Sequence, residues 1–172
     1  MVQPGHIVTP VAAVEHADGA AAMALVFRAG PLTCALPLDE VVETMRPLRV
    51  RSLAGTPDFV PGISIMRGVP VPVVDMAVLL AGAPAQVSRF VAVRTHHGTV
   101  ALATGSVLGL RSTTADPSST TAHPSGFGLL LGGTAGRLVA SVATLDGEPL
   151  LLLHSMRHLP PEVWAAAAAA GS

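Results

Sequence analysis

Seven histidines are the residues in this chain of 172 that could most readily bind a metal. His96 and His97 are adjacent, so in a turn their side chains would point in different directions. His154 and His158 have the i, i+4 spacing of a helical metal site, but Pro160 follows closely and neither a cysteine nor an acidic residue lies at a suitable spacing. The sequence therefore predicts structural or solvent-exposed histidines and neither a metal nor a cofactor.

Nucleophilic chemistry is equally weakly supported. Cys34, the single cysteine, lies within an apolar segment, which favours an inert buried thiol over a reactive one. None of the serines lies in the Gly-x-Ser-x-Gly context of a nucleophile elbow. These features predict that the protein is not an enzyme.

Two further patterns could contact phosphates. Four glycines resemble a dinucleotide-binding loop, but their spacing is off by one and they lack a strand–loop–helix context. They are Gly126, Gly128, Gly132 and Gly133. Three arginines, Arg46, Arg49 and Arg51, form a basic cluster, yet no aromatic residue lies between them, which favours a solvent-exposed loop.

The composition restricts the class of protein. Half of the residues are apolar and 12% are charged, which predicts a folded chain. A net charge of −1 provides no broad attraction to nucleic acid or to an anionic membrane. One cysteine excludes an internal disulfide, and we find neither a signal-peptide pattern nor a run of ~18 apolar residues. We therefore expect a cytoplasmic protein.

Short apolar runs separated by glycine and proline dominate the rest of the chain, which predicts an all-β barrel or sandwich. Residues 1–21 are expected to form a loose leader, 39–45 are ambiguous between strand and helical turn, and 112–126 are expected to form a mobile loop. Two short helices are predicted, at 76–80 and 160–170. The predicted strands are two within 23–38 and those at 63–67, 69–74, 90–94, 99–103, 107–111, 129–131, 137–144 and 149–154.

Residues 63–80 carry the most specific pattern, an Arg67-Gly68 turn between two apolar strands followed by Asp75 at a helix N-cap position. An arginine held between strands requires a carboxylate or solvent. Glu43 and Asp75 are both possible partners. Arg67 therefore forms either a structural ion pair or a semi-exposed anchor presented to a partner protein.

With these residues the chain resembles the CheW family of chemotaxis coupling proteins. The resemblance covers about four-fifths of the chain, and its most specific part is TPDFVPGISIMRGVPVPVVDM at 56–76. Further matching segments are LVFRAG at 25–30, LPLDEVVETM at 36–45, residues 89–112 and, more weakly, 136–159. The resemblance implies two small SH3-like five-stranded β-barrel subdomains that share a hydrophobic core, with one or two short helices. This domain would span 22–160, and 161–172 would form an Ala-rich tail.

The resemblance also implies a function. Members of this family are non-catalytic adaptors that couple a CheA-type histidine kinase to chemoreceptors in a chemosensory array. The implied partners are the kinase regulatory domain and the cytoplasmic tip of methyl-accepting chemoreceptors, with self-association in rings and without nucleic acid or membrane insertion. The alternatives are a divergent scaffold of another signalling or motility complex, and a small ligand- or metal-binding barrel.

Individual residues follow from the same resemblance. The positions implied to bind partners are Leu38, Val41, Glu43, Arg67, Val107 and Leu110. Gly62, Gly68 and Asp75 match turn and cap positions. The chain departs from the family pattern at Gly105 and His154, where acidic residues are usual, and at Ile65, where a polar residue is common. We therefore expect the receptor-facing surface to differ from the usual one.

Overall fold

Eleven strands and three short α-helices make up the regular structure of the residues described by the computed structural model, 7–9, 22–115, 133–156 and 159–170. The strands are β1 (Ile7–Thr9), β2 (Ala22–Ala29), β3 (Leu32–Pro37), β4 (Val41–Met45), β5 (Gly62–Met66), β6 (Val69–Asp75), β7 (Arg89–Thr95), β8 (Gly98–Thr104), β9 (Val107–Ala115), β10 (Val139–Leu145) and β11 (Glu148–Leu153). The helices are α1 (Met76–Ala81), α2 (Gly133–Leu138) and α3 (Pro161–Ala170), and one 3-10 turn spans Leu38–Glu40.

The first unit is a closed ring of strands in the order β1-β10-β11-β3-β2-β9. Four of these strands, β2, β3, β10 and β11, bury small and branched side chains inside the ring, as the period of two along a strand requires. The buried interior consists of Ala24, Val26, Ala35, Ala143, Leu145, Leu150 and Leu152. The sixth strand, β1, lies within the segment that we expected to be a leader and pairs with both β9 and β10.

The second unit is a five-stranded sheet in the order β4-β7-β8-β6-β5. Its inner face buries Met66, Val71, Val73, Phe90, Ala92, Ala101 and Ala103. The chain beyond β4 crosses to β5, where Arg51 and Ile63 exchange two backbone hydrogen bonds of 2.8 and 3.0 Å. A single bridge therefore links the segment after β4 to β5.

A large apolar core lies between the two units. Phe27 and Leu36 from the first unit and Leu102 from the second are fully buried in it, together with Met76 at the start of α1. Because each unit buries one apolar face in this core, removal of either unit would expose the apolar face of the other to solvent. The predicted fold class, two β units that share a hydrophobic core with few short helices, is confirmed.

Two hairpins turn within two residues. Met66 pairs with Val69 around Arg67-Gly68, and Leu145 pairs with Glu148 around Asp146-Gly147. The φ angles are positive at both positions of each turn, 51° and 82° in the first and 51° and 81° in the second. Two positive φ angles in a two-residue loop are typical of the type I′ turn, whose twist matches that of the flanking strands.

Pro70 and Pro72 lie opposite Ile65 and Ile63 in the β5–β6 pair. In a two-residue hairpin the pair next to the turn is hydrogen-bonded and the bonding alternates, so both prolines occupy sites that need no N–H toward β5. On its other side β6 pairs with β8 only from Val73 onward. The sheet thus accommodates the prolines because the β8 ladder begins after them.

Some predicted boundaries were wrong. Residues 112–115, expected to begin a mobile loop, continue β9. The segment 39–45, left open between strand and helical turn, contains both, since the 3-10 turn ends at Glu40 and β4 spans Val41–Met45. Arg137 and Leu138 end helix α2 and do not belong to a strand. In each case strand pairing with distant segments determined the structure, since a short apolar run can form either a strand or a helical turn. The predicted strand at 129–131 lies outside the described residues, as do Gly126, Gly128 and Gly132.

The C-terminal segment is tied to the body of the protein. Glu40, in the 3-10 turn, accepts a 2.8 Å hydrogen bond from the Met156 backbone N–H, 116 residues away. Met156 and Leu159 are buried in the shared core, as is Val163 in α3. The start of the Ala-rich tail is therefore part of the packed structure.

Candidate protein-interaction site

Arg67 and Glu43 form a bidentate ion pair. The Arg67 Nε and Nη2 groups donate to Glu43 Oε1 and Oε2 at 3.0 and 2.8 Å. The Arg67 side chain is 80% exposed, whereas that of Glu43 is 28% exposed. Glu43 lies on β4 and Arg67 follows β5, so the pair joins the two outer strands of the second unit.

Asp75, the other candidate partner, has a different role. Its carboxylate accepts hydrogen bonds from the backbone N–H groups of Ala77 and Val78 at 3.0 and 3.1 Å. It therefore caps α1, as its position before an apolar run predicts. Of the two acids considered from the sequence, Glu43 is the one that pairs with Arg67.

The ion pair changes the acidity of both groups. The hydrogen bond from Arg67 lowers the pKa of Glu43 below its usual value, and the positive charge of Arg67 acts in the same direction. The same hydrogen bond raises the pKa of Arg67. Because both groups are solvent-screened, the pair contributes little to stability. Its bidentate geometry instead orients an exposed guanidinium group.

We expect the pKa of the Glu43 carboxyl to lie below its usual value in the folded protein, because Arg67 donates a hydrogen bond to it. Because its pKa is lowered in the folded state, the ion pair is intact above the unfolded-state pKa and is lost as the pH falls through the folded-state pKa. An NMR titration of the side-chain carboxyl carbon measures this midpoint. Arg67→Met should raise it toward the usual value, whereas an unchanged midpoint would show that the pair does not persist in solution.

Large apolar side chains are exposed on both units. Val42, Ile65 and Val69, in the second unit, lie within two residues of Glu43 or Arg67 and are 47%, 59% and 57% exposed. Leu108 and Leu110 on β9 and Met23 on β2 are exposed on the first unit. Single exposed apolar residues are ordinary, but several beside an oriented arginine are typical of a protein-interaction surface.

The six positions expected to bind partners lie in both units. Glu43 and Arg67 are in direct contact. Val41 and Val107 are half-buried and pack against the shared core, while Leu38 is half-buried in the 3-10 turn and Leu110 is exposed. Only Glu43, Arg67 and Leu110 therefore present a polar group or a large exposed side chain.

Sequence reasoning did not select the exposed residues Val42, Val69, Leu108 and Met23. Val42 lies at an irregularity between Val41 and Glu43, where the alternation along β4 is interrupted. Val69 lies beside a turn, where the inner face of the unit ends. Local patterns therefore indicate neither residue, and the tertiary structure was needed to identify them.

The glycines expected at turns have two different roles. Gly68 lies in the Arg67-Gly68 turn with open space around it. Gly62 is not a turn residue but the first residue of β5. A Cβ atom there would overlap the Arg51 carbonyl oxygen and lie 2.7 Å from the Arg51 carbonyl carbon. Close approach of two backbones therefore explains Gly62.

The remaining candidates for chemistry have structural surroundings. Cys34 is fully buried, and this burial raises the pKa of its thiol to about 12. The His97 ring packs against Trp164 of α3 with the ring centroids 4.9 Å apart. Among the described residues, no three histidine, cysteine or acidic side chains are grouped so that they could hold a metal ion. His158 lies outside those residues.

Comparison with known proteins assigns the family. The CheW-like domain model matches residues 23–160. The chain belongs to the CheW family. This is a family of chemotaxis scaffold and adaptor proteins. No curated protein sequence matches the chain significantly.

A solved CheW structure has the same fold. It is the scaffolding protein TtCheW from Thermoanaerobacter tengcongensis, which is 18% identical to this chain with a TM-score of 0.62. The match covers 79% of this chain and 90% of TtCheW. At this identity the likeness concerns the fold alone. In the described part of the chain, no helix has the length and apolar character required to cross a bilayer.

Proposed function

We propose that this protein is a non-catalytic adaptor that couples a CheA-type histidine kinase to chemoreceptors. The observation that carries the proposal is the exposed, bidentate Glu43–Arg67 pair with Val42, Ile65 and Val69 around it. An arginine oriented by an acid, with exposed apolar side chains close to it in the sequence, suits a modest protein interface, in which a few anchors provide most of the affinity. Membership in the CheW family supports the same function.

Two partners require two surfaces, and the exposed apolar residues are divided between the two β units. Leu108 and Leu110 lie on the first unit, whereas Val42 and Ile65 lie on the second. We assign the kinase regulatory domain and the cytoplasmic tip of a methyl-accepting receptor to these surfaces, in the cytoplasm and within receptor arrays. Interfaces of ~1,200–1,600 Å² would suffice for transient contacts of this kind.

Reversing the charge of Arg67 tests the proposal. Because the Arg67 side chain is exposed, we expect Arg67→Glu to leave the fold intact, since the variant loses only a solvent-screened pair. Capture of the cognate kinase or receptor should weaken about tenfold, as for an anchor at an interface. Pull-down with the purified kinase and with a receptor cytoplasmic fragment measures the effect, and circular dichroism monitors the fold.

The double variant Glu43→Arg plus Arg67→Glu separates the two roles of Arg67. It restores an ion pair of reversed polarity, so a purely structural role predicts that partner capture recovers. If Arg67 contacts the partner, capture stays weak although the pair is restored. Unchanged capture by Arg67→Glu would contradict the anchoring role, and loss of folding in that variant would show that the pair is structural.

A further inference from the structure

A groove lies where the chain beyond β4 meets β5. It is lined by Leu48, Arg49, Arg51, Ile63, Ser64 and Ile65 and has a volume of about 320 Å³. We call this surface the Arg49 groove. It contains neither Glu43 nor Arg67, so it is distinct from the ion pair described above.

The groove forms because the two segments separate after a single bridge. Arg51 and Ile63 exchange backbone hydrogen bonds, but within the described residues no such bond joins Arg49 to Ile65, the next pair along. The Ser64 hydroxyl instead donates to the Arg49 carbonyl oxygen at 2.8 Å. Because bonding directions alternate along a strand, the N–H and C=O groups of Ile65 face this same edge and are not bonded across it.

The strand register places the side chains of two arginines, Arg49 and Arg51, beside those of Ile63 and Ile65. Arg51 lies directly opposite Ile63, so these side chains project from the same face of the pair. Arg49 and Ile65 are each two residues away and share that face, since side chains repeat with a period of two. Ile65 is 59% exposed, and both arginines are exposed.

The positive charge of this surface is not neutralised within the described residues. The guanidinium groups of Arg46, Arg49 and Arg51 make no ion pair and no hydrogen bond there, in contrast to Arg67. Three unpaired cations within six residues next to exposed apolar side chains complement a segment that carries carboxylates and apolar groups together. Arginine is well suited to binding such carboxylates in a bidentate manner.

We propose that the Arg49 groove binds an extended acidic segment of a partner protein, in which two carboxylates and one apolar side chain stand at alternate positions (Glu-x-Leu-x-Glu) and therefore share one face. The apolar side chain packs against Ile65 and Leu48. The carboxylates pair with Arg49 and Arg51, and the backbone of the segment bonds to the free edge at Ile65. The groove includes neither residue of the Glu43–Arg67 pair. It shares Ile65 with the surface assigned above, whereas Arg49 and Arg51 belong to the groove alone.

Fluorescence anisotropy with the full-length protein tests the groove. The probe is a short fluorescein-labelled peptide in which Glu, Leu and Glu stand at alternate positions with serine between them, and the control peptide has glutamine in place of glutamate. The acidic peptide should bind, with an affinity that falls as salt is added, and the glutamine peptide should bind at least about tenfold more weakly. Absence of binding by the acidic peptide, or equal binding of both, would overturn the proposal.

Matched variants locate the binding. Arg49→Glu plus Arg51→Glu should raise the peptide Kd about tenfold, whereas Arg89→Glu plus Arg94→Glu, which changes the net charge equally, should alter it less than about twofold. Equal losses in the two double variants would show a non-specific charge effect and overturn the proposal. Should the first double variant fail to fold, Arg49→Gln plus Arg51→Gln replaces it.

A second pair of variants tests the apolar contact. Ile65→Ser should weaken peptide binding, whereas Val69→Ser should not. Val69 is equally exposed, but it lies opposite Met66 on the other face of the sheet. Equal binding by Ile65→Ser and the unmodified protein would show that charge alone drives binding, which contradicts the proposed arrangement.

Discussion

Gly62→Ala is expected to lower the free energy of unfolding by about 3 kcal/mol, the upper part of the range for overpacked sites. The new Cβ atom would overlap the Arg51 carbonyl oxygen and lie 2.9 Å from the Ser52 Cα atom. All of these neighbours are backbone atoms, so no side-chain rotation can relieve the contact. The bridge between Arg51 and Ile63 would have to open, which breaks the backbone hydrogen bonds between β5 and the segment after β4. Chemical denaturation followed by circular dichroism measures the loss.

Gly68→Ala is the matched control for Gly62→Ala. Gly68 has a positive φ of 82°, but a Cβ atom there would meet nothing within 4 Å. Its substitution therefore adds only the cost of a left-handed residue, about 1 kcal/mol. If the two variants lost equal stability, backbone conformation and not close approach would explain Gly62.

Val163→Asp is the second substitution for which we expect a large effect, a loss of about 4 kcal/mol, because a charged group would replace a buried apolar side chain. Val163 is fully buried, and it packs into the core shared by both units although it belongs to the Ala-rich tail. In a chain of this size the melting temperature should fall by about 10 °C. Thermal unfolding followed by circular dichroism measures it.

Ala165→Asp provides the control on the same helix. Ala165 is exposed, so the same new side chain there should change the melting temperature by no more than about 2 °C. A similar fall in both variants would mean that loss of helix propensity, and not burial, governs the response. A small fall in Val163→Asp alone would show that α3 leaves the core at little cost.

Local signals in the sequence predicted much of the β structure. Asp, Gly and Pro positions marked the hairpins, because positive φ angles and missing N–H groups are properties of single residues. Arg67-Gly68 forms the expected two-residue turn, and Asp146-Gly147 forms a second turn of the same kind. The cap at Asp75 was predicted for the same reason, since its carboxylate bonds only to the next turn of the chain.

Contacts between residues far apart in the sequence could not be predicted from these local signals. The bond between Glu40 and the Met156 backbone joins residues 116 apart, and no local pattern indicates it. The continuation of β9 through 112–115 depends on β1 and β2, which pair with it. Ser and Thr in that stretch suggested a loop because sequence alone does not show which strand lies alongside.

The candidate site was predicted in part. The sequence by itself determined that Arg67 stands in a tight turn between apolar strands and needs either an acid or solvent, because turn chemistry and charge are local properties. Only the tertiary structure decided that Glu43 is that acid, that Gly62 accommodates a neighbouring backbone, and that Arg49 and Arg51 share a face with Ile63 and Ile65. These outcomes depend on how β4 and β5 approach each other, and that approach is set by the packing of the whole unit.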